Sequence, residues 1–260
     1  TVGTNDGYGL LGRNTNTGTN NSPIQVGALT NWSKITAGKQ FFVAIKTDGT
    51  MWSWGRNDKG QVGNNTSGVG LNYSSPVQIG ALTTWSEVSA GIDQCIALKT
   101  DGTIWGWGAN GSGQVGDNSG IDRSSPVQIG ALTTWASISA GERTSAAVKT
   151  DGTFWIWGNQ NFGRLGNNVS VNSGISSPVQ LGALTNWDKP SFCGEGSFAI
   201  KTDGTLWGWG LNTKGRIGDN TGIHRSSPVQ IGADTDWSEV TGGTYSGIAI
   251  KTDGTLWTWG

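Results

Sequence analysis

The side chains able to do chemistry in this sequence recur at a fixed interval. Asp48, Asp101, Asp151, Asp203 and Asp253 each stand between Thr and Gly, two residues after Lys46, Lys99, Lys149, Lys201 and Lys251. Five carboxylates in equivalent places could ligate cations or act as general acids. Calcium, however, needs six or more oxygens, and acid–base catalysis needs a positioned partner group. Each Asp has no second carboxylate beside it, so turn chemistry accounts for all five. The five Lys could offer a basic ring to a polyanion. Each has an Asp nearby to cancel it, and they are expected as solvated charges at strand ends. His224 is the one histidine, and no motif sets a Ser or Cys beside it, so a catalytic triad has no basis. Cys95 and Cys193 fall at different places in the repeat and form no C-x-x-C. They are expected as buried small apolar side chains rather than a disulfide or zinc ligands. The sequence therefore offers no catalytic constellation, no metal site and no cofactor site, and the expectation is a protein that is not an enzyme.

The fifteen Trp are the other unusual side chains. Pairs such as Trp105 with Trp107 and Trp207 with Trp209 could stack on sugars or absorb ultraviolet light. Burial between packed elements is the simpler role, because aromatic rings dominate core energetics. The elements that must position them are legible as repeats. Aligned on the glycine closing each copy, Gly3, Gly55, Gly108, Gly158, Gly210 and Gly260 are 52, 53, 50, 52 and 50 residues apart. Within each repeat, Lys-Thr-Asp-Gly-Thr separates two runs of alternating apolar residues. That is a hairpin signal, expected as a type I′ turn with Asp and Gly at positive φ. A Gly-rich turn follows, then a polar loop of variable length, then Ser-Pro-Val-Gln-Ile-Gly or a near copy. Ala-Leu-Thr-x-Trp leads into a third extended run that ends in small residues. The count is four short strands per repeat, with no 3.6-residue apolar period anywhere. In the fourth repeat Pro190 and Cys193 break the sibling pattern, and a local irregularity is expected there.

Four antiparallel strands every fifty residues or so describe a β-propeller blade. The expected fold is all-β: one propeller over residues 1–260, with repeats 3–55, 55–108, 108–158, 158–210 and 210–260. Thr1-Val2-Gly3 stands at the same phase as Thr258-Trp259-Gly260, so closure by pairing of the N- and C-terminal strands is expected.

The pattern Trp-Gly-x-Asn-x-x-Gly-Gln-Val-Gly, then Ser-Pro-Val, then Val-Ser-Ala-Gly, then Ala-Ile/Val-Lys-Thr-Asp-Gly-Thr-Leu-Trp resembles the regulator-of-chromosome-condensation repeat over essentially the whole chain. That resemblance implies a β-propeller, usually of seven blades. This chain carries repeats for five, so either it closes with five or two repeats lie elsewhere. Where the family often has a His, the chain has Phe41, Gln94, Thr144, Gly196 and Ser246. It also lacks the Gly-Trp-Arg-His-Thr motif of the related plant ultraviolet-B photoreceptor. The family includes a nucleotide-exchange factor for a small nuclear GTPase, inhibitors of β-lactamases, and bacterial and phage proteins. Low Lys and Cys with abundant Asn, Thr and Gly look most like the bacterial or phage extracellular group, so an extracellular or virion-associated location is expected.

A net charge of −1 argues against electrostatic capture of nucleic acid, and no apolar run reaches the ~20 residues of a membrane-spanning helix. The copies differ most in the loops 13–22, 64–75, 117–125, 167–177 and 219–227. Variation between otherwise matching repeats marks a binding surface. The bulky residues there are Leu71, Tyr73, Ile121, Arg123, Val171, Ile175, Ile223 and Arg225. They are the candidate interaction residues, with Tyr73, Arg123 and Arg225 favoured because aromatics and Arg anchor interfaces. The expected function is a non-enzymatic protein-interaction or structural propeller with an unidentified protein partner. A carbohydrate-binding lectin propeller is the alternative. Guanine-nucleotide exchange on a small GTPase fits less well, since no repeat carries a long wedge-like insertion.

Overall fold

The computed structural model describes residues 3–260, apart from the side chain of Cys193. The chain is all-β; among the described residues the helical pieces are two short 3-10 turns, Asn161–Gly163 and Thr213–Gly215. Four sheets have the four strands expected. They are β3 (Trp32–Ala37), β4 (Phe41–Lys46), β5 (Met51–Arg56) and β6 (Asn72–Gln78); β7 (Trp85–Ala90), β8 (Gln94–Lys99), β9 (Ile104–Gly108) and β10 (Arg123–Gln128); β11 (Trp135–Ala140), β12 (Thr144–Lys149), β13 (Phe154–Asn159) and β14 (Gly174–Gln180); β15 (Trp187–Cys193), β16 (Gly196–Lys201), β17 (Leu206–Gly210) and β18 (Arg225–Gln230). Each is an antiparallel meander in chain order. Before them, β1 (Gly3–Thr4) pairs with β2 (Thr19–Asn20); after them, β19 (Trp237–Gly242), β20 (Gly247–Lys251) and β21 (Leu256–Trp259) form a sheet of three.

Two compact units result. One comprises Thr1–Gly111 with Gly120–Thr133 and holds the sheets β1–β2, β3–β6 and β7–β10. The other comprises Ser112–Ser119 with Thr134–Gly260 and holds the sheets from β11 to β21. Of the residues expected to close a ring, Thr1 and Val2 lie outside the described residues. Gly3 stands opposite Asn20, and among the described residues β21 has no further strand on its outer edge.

The hairpins differ from the turn expected. Lys46 N–H donates to Thr50 O (2.9 Å) and Gly49 N–H to Lys46 O (3.0 Å), which encloses three residues rather than two. Gly49 has φ +75°, and Asp48 is not among the residues with positive φ. This is a type I turn closed by a left-handed Gly, the usual three-residue hairpin, and the other four copies share its hydrogen bonds. The reason lies in the Asp side chain. Asp48 accepts from Thr50 N–H (2.9 Å) and Thr50 Oγ1 (2.6 Å), an arrangement that holds Asp at negative φ. Thr50 Oγ1 in turn accepts from the Trp52 indole N–H (3.0 Å), so the Asp, Thr and Trp of the motif form one local chain.

The fifteen Trp fall into three sets by position. Those at the end of each third strand are stapled to the turn of the preceding sheet. Trp54 N–H donates to Leu10 O, Trp107 to Gln61 O, Trp157 to Gln114 O and Trp209 to Arg164 O, each at 3.0 Å, and Trp259 to Arg216 O at 2.9 Å. The turn glycines are required at this contact. A Cβ on Gly116 (φ +88°) would lie 2.5 Å from Trp157 Nε1. Around the staples the core joins neighbouring sheets within each unit, β3–β6 with β7–β10 in the first and β11–β14 with β15–β18 in the second. In one cluster Phe198, Leu206, Ile217 and Ile231 of one sheet and its turn meet Trp237 and Ala249 of the next.

The other two sets of Trp surround the repeated Lys. These Lys are not the solvated charges expected from the sequence. Lys99 and Lys201 are buried, with Nζ 3.6 Å from the Trp105 ring centre and 3.7 Å from that of Trp207. A second ring, Trp85 or Trp187, stands edge-on to each of these. An alkyl stem crossing apolar rings gains burial while its ammonium gains a cation–π contact. Burial pulls the pKa of both amines down, opposed by the charge of Asp101 and Asp203. Lys251 differs: hydrogen bonding to Asp234 (2.7 Å) raises its pKa, and Asp236 lies at 3.1 Å.

The fourth repeat is also more regular than expected. Pro190 pairs in register with Ala199, and the register shift in β15, between Trp187 and Lys189, is one that the sibling sheets share at the equivalent place. Since β15 is the edge strand of its sheet, a missing N–H is tolerated there. The departure is in the turn: Cys193 lies opposite Gly196, with Gly194 at φ +50°. Cys95 is a buried free thiol, as expected, and burial pushes its pKa well above the usual range.

Candidate interaction site

In each four-stranded sheet the first turn and the variable loop leave the same end of the strands, opposite the Thr-Asp-Gly hairpin. This loop end is built on a buried Asn two residues after the closing Gly, or nearby. Asn57 accepts from Val62 N–H (3.0 Å) and donates to Thr66 O (2.9 Å). Asn212 accepts from Ile217 N–H (2.9 Å) and donates to Asp219 Oδ1 (2.8 Å), Thr221 O (3.0 Å) and Ile223 O (3.1 Å). Asn5 does the same with Leu11 N–H (2.7 Å) and Thr17 O (2.9 Å), and Asn110 donates to Ile121 O (3.1 Å). In the fourth repeat Gln160 takes the place, bonding Ser173 Oγ at 2.9 Å. One side chain thus ties the tight turn to the variable loop beyond it. The sequence carried a signal for these residues in the recurring Asn of Trp-Gly-x-Asn, which reads there only as a turn residue.

The eight candidate residues separate into two sets. Leu71, Ile121, Val171 and Ile223 lie on the loops with 37%, 65%, 47% and 63% of their surface exposed. Tyr73, Arg123, Ile175 and Arg225 all occupy one strand position, opposite the closing glycines Gly55, Gly108, Gly158 and Gly210. These four are half-buried. Tyr73 Oη meets Thr66 Oγ1 (2.9 Å). Arg225 Nε donates to Asp219 Oδ2 (2.6 Å) and Nη2 to Thr221 Oγ1 (3.3 Å). The structure therefore shows Tyr73 and Arg225 bracing their own loops, and it presents the apolar loop residues outward. Val69 is almost fully exposed, and Phe162 is exposed in the 3-10 turn Asn161–Gly163 at φ +58°, with its ring edge-on to His224 (5.4 Å). His224 is not a free loop residue, since its Nδ1 accepts from Asn212 N–H (3.1 Å).

Ion pairs set the charge pattern of this end. Burial works against the charge of Asp219, but hydrogen bonds from Thr221, Arg225 and Asn212 outweigh it and hold the carboxyl below its usual range. In the first unit Arg56 pairs with Asp58 and bonds Gln40 Oε1 (3.0 Å), and Lys59 reaches Asp122 (3.3 Å). Among the described residues no group of three His, Cys, Asp or Glu side chains could hold a metal ion.

A profile of the RCC1-like domain matches residues 1–260. Human E3 ubiquitin-protein ligase HERC2 is 29% identical over 116 residues, which cover 43% of this chain and 2% of that protein. The solved structure of human WBSCR16 superposes with a TM-score of 0.80 at 18% identity, over 95% of this chain and 66% of that one. Prp20p from Saccharomyces cerevisiae superposes with a TM-score of 0.75 at 19% identity, over 87% of this chain and 57% of that one. The chain thus spans a small part of the ligase it matches and less than two thirds of either structure. With four-stranded antiparallel sheets in the RCC1-like arrangement and the domain profile matched from end to end, the chain belongs to the RCC1-like domain family.

Proposed function

We propose that this chain is a protein-interaction module without catalysis of its own, and that its partner meets the loop end of the strands. The observation that carries this reading is the set of apolar residues Leu71, Ile121, Val171 and Ile223, exposed on loops that buried Asn side chains, or Gln160 in the fourth repeat, hold in place. Loops already ordered lose less entropy on binding, and an apolar centre with a polar rim is the usual composition of an interface. The Prp20p structure was reported together with binding to Gsp1p and histones, which supports a protein as the class of ligand. Nucleotide exchange itself has less support, since the loops here carry no long insertion. The Lys-poor, Asn- and Gly-rich composition supports a place outside the cell or on a virion, and the net charge of −1 speaks against nucleic acid.

The test is pull-down from the native source. A variant with Leu71, Ile121, Val171 and Ile223 changed to Ser is expected to fold and to lose its partner. Lys46→Ala, Lys149→Ala and Lys251→Ala combined is expected to keep the partner at matched folded concentration. Loss with the Lys variant alone would move the surface to the hairpin end.

Carbohydrate binding is the second reading, favoured by clefts in the first unit. One of about 440 Å³ is lined by Trp32, Trp52, Pro76 and Asn14, and one of about 320 Å³ by Trp85, Trp105, Pro126 and Asn65. Binding on a glycan array that Trp105→Ala removes would favour it.

We also propose that the chain closes as a β-propeller by pairing of its N- and C-terminal strands. The support is the superposition on WBSCR16 and Prp20p and the exposed edge of the last sheet, where Leu256 and Trp257 are 62% and 48% exposed whereas the equivalent Ile104 is fully buried. Cysteines placed one in the N-terminal strand and one on β21 are expected to crosslink within one molecule on oxidation. Crosslinking only between molecules, or none, would count against closure by this chain alone.

A further inference from the structure

Arg164 and Arg216 occupy the same place in successive repeats. Each follows a short 3-10 turn, and each is almost fully buried, at 3% and 2% exposed. Each Nε donates to the carbonyl three residues earlier, Arg164 to Asn161 (3.2 Å) and Arg216 to Thr213 (3.3 Å). Each backbone carbonyl receives the indole N–H of the next sheet's last Trp. The two guanidinium groups are therefore held alike, but their outer sides differ. Arg164 Nη2 meets Glu195 Oε1 at 2.7 Å. Glu195 precedes Gly196 at the start of β16, and the residue at the equivalent place before β20 is Tyr245. Arg216 faces the Tyr245 ring, 5.1 Å from its centre, and its Nη2 turns back to Thr213 Oγ1 (3.0 Å). Among the described residues no carboxylate lies within ion-pair reach of Arg216. The Asp219 carboxylate a few residues on is committed to Arg225, Asn212 and Thr221.

We propose that Arg216 is a receptor for a carboxylate, the side chain of an Asp or Glu on a protein partner, which displaces the Tyr245 ring. A buried cation without a counter-charge is costly, and a guanidinium binds a carboxylate through two parallel hydrogen bonds. The sibling pair shows that this slot accepts a carboxylate oxygen at 2.7 Å. Tyr245 is 63% exposed, so its ring can leave without opening the core. Lys214, exposed in the same turn, adds positive charge beside the slot. The turn leads directly into the loop bearing Ile223, so a partner seated on that loop has the site within reach. The proposal rests on the reading of the loop end as an interaction surface and supplies one chemical determinant of the partner.

The test uses the whole chain and sodium glutamate as probe, with sodium chloride at equal ionic strength as control. Arginine Nε–Hε signals are followed by NMR, that of Arg216 being assigned by its loss in Arg216→Gln. Glutamate is expected to shift the Arg216 signal, and to do so at lower concentration in Tyr245→Ala. Tyr245→Glu is expected to abolish the response and to raise the urea midpoint above that of Tyr245→Gln, because it rebuilds the Arg164–Glu195 pair. An Arg216 signal indifferent to glutamate in both the wild type and Tyr245→Ala would overturn the proposal, as would equal midpoints for the Glu and Gln variants. A response to glutamate without any partner captured through the loops would leave the carboxylate site standing and reject the interaction reading. Partner capture that survives Arg216→Gln, with no glutamate response, would do the reverse.

Discussion

Trp157→Ala should lower the free energy of unfolding by about 3–5 kcal/mol, the range for removing a large aromatic side chain from a packed core. Trp157 is fully buried on β13, and its indole N–H reaches across to the Gln114 carbonyl at 3.0 Å. Truncation leaves a cavity and also removes one of the two donors to that carbonyl, the other being Ser145 Oγ at 2.8 Å. Trp157→Phe separates the two effects, because it keeps most of the volume and loses the hydrogen bond. Asp151→Ala in the neighbouring hairpin should cost much less, since Asp151 is exposed and the variant removes only the hydrogen bonds it accepts from Thr153 N–H (2.9 Å) and Oγ1 (2.6 Å), with no cavity. Urea melts compare the three, and a larger loss for the Asp variant would contradict the packing described. The Asp variant also has a pH signature. The side-chain hydrogen bond from Thr153, then that from its backbone, holds Asp151 below the usual carboxylate pKa. A depressed folded-state pKa gives stability that is present above the unfolded value and lost as pH falls through the folded one. The wild type should therefore lose more stability than Asp151→Ala over that acid window.

Asn212→Ala should destabilise the chain by about 2–3 kcal/mol, since a buried polar group left unsatisfied costs about 1–3 kcal/mol. The variant orphans the Ile217 N–H and releases the carbonyls of Thr221 and Ile223 together with Asp219. Asn212→Asp should be comparably damaging although it is nearly isosteric. It keeps the acceptor for Ile217 but loses the amide donors and sets a second carboxylate against Asp219. Both variants should raise hydrogen exchange across 219–225 while leaving β16 and β17 protected, because the strand ladder does not depend on this side chain. Uniform exchange across the sheet would show that Asn212 supports the whole repeat and not its loop.

The sequence by itself determined the repeat, the strand count and the places of the Trp and Gly. The physical reason is that these features are local. Strand alternation, a Gly that must take positive φ, and a Pro at the start of an edge strand are each decided within a few residues. The family was legible for the same reason, since its motif is a string of such local requirements. The hairpin type lay at the margin: Asp-Gly suggested two residues at positive φ, and the Asp48-to-Thr50 hydrogen bonds selected a three-residue loop instead.

Only the tertiary structure decided what each polar side chain faces. Lys99 and Lys149 look solvated in the sequence because their neighbours are Thr and Asp, yet the rings beside them come from the strands on either side of their own, Trp85 and Trp105 for one and Trp135 and Trp155 for the other. Arg225 looks like a free anchor until Asp219 is found beside it. Arg164 and Arg216 read as the same residue in the same motif, and a residue about thirty positions further along distinguishes them, Glu195 for one and Tyr245 for the other. Charge pairing depends on distances of a few ångströms between segments far apart in the chain, and a repeat pattern fixes the segments without fixing which side chains they bring together.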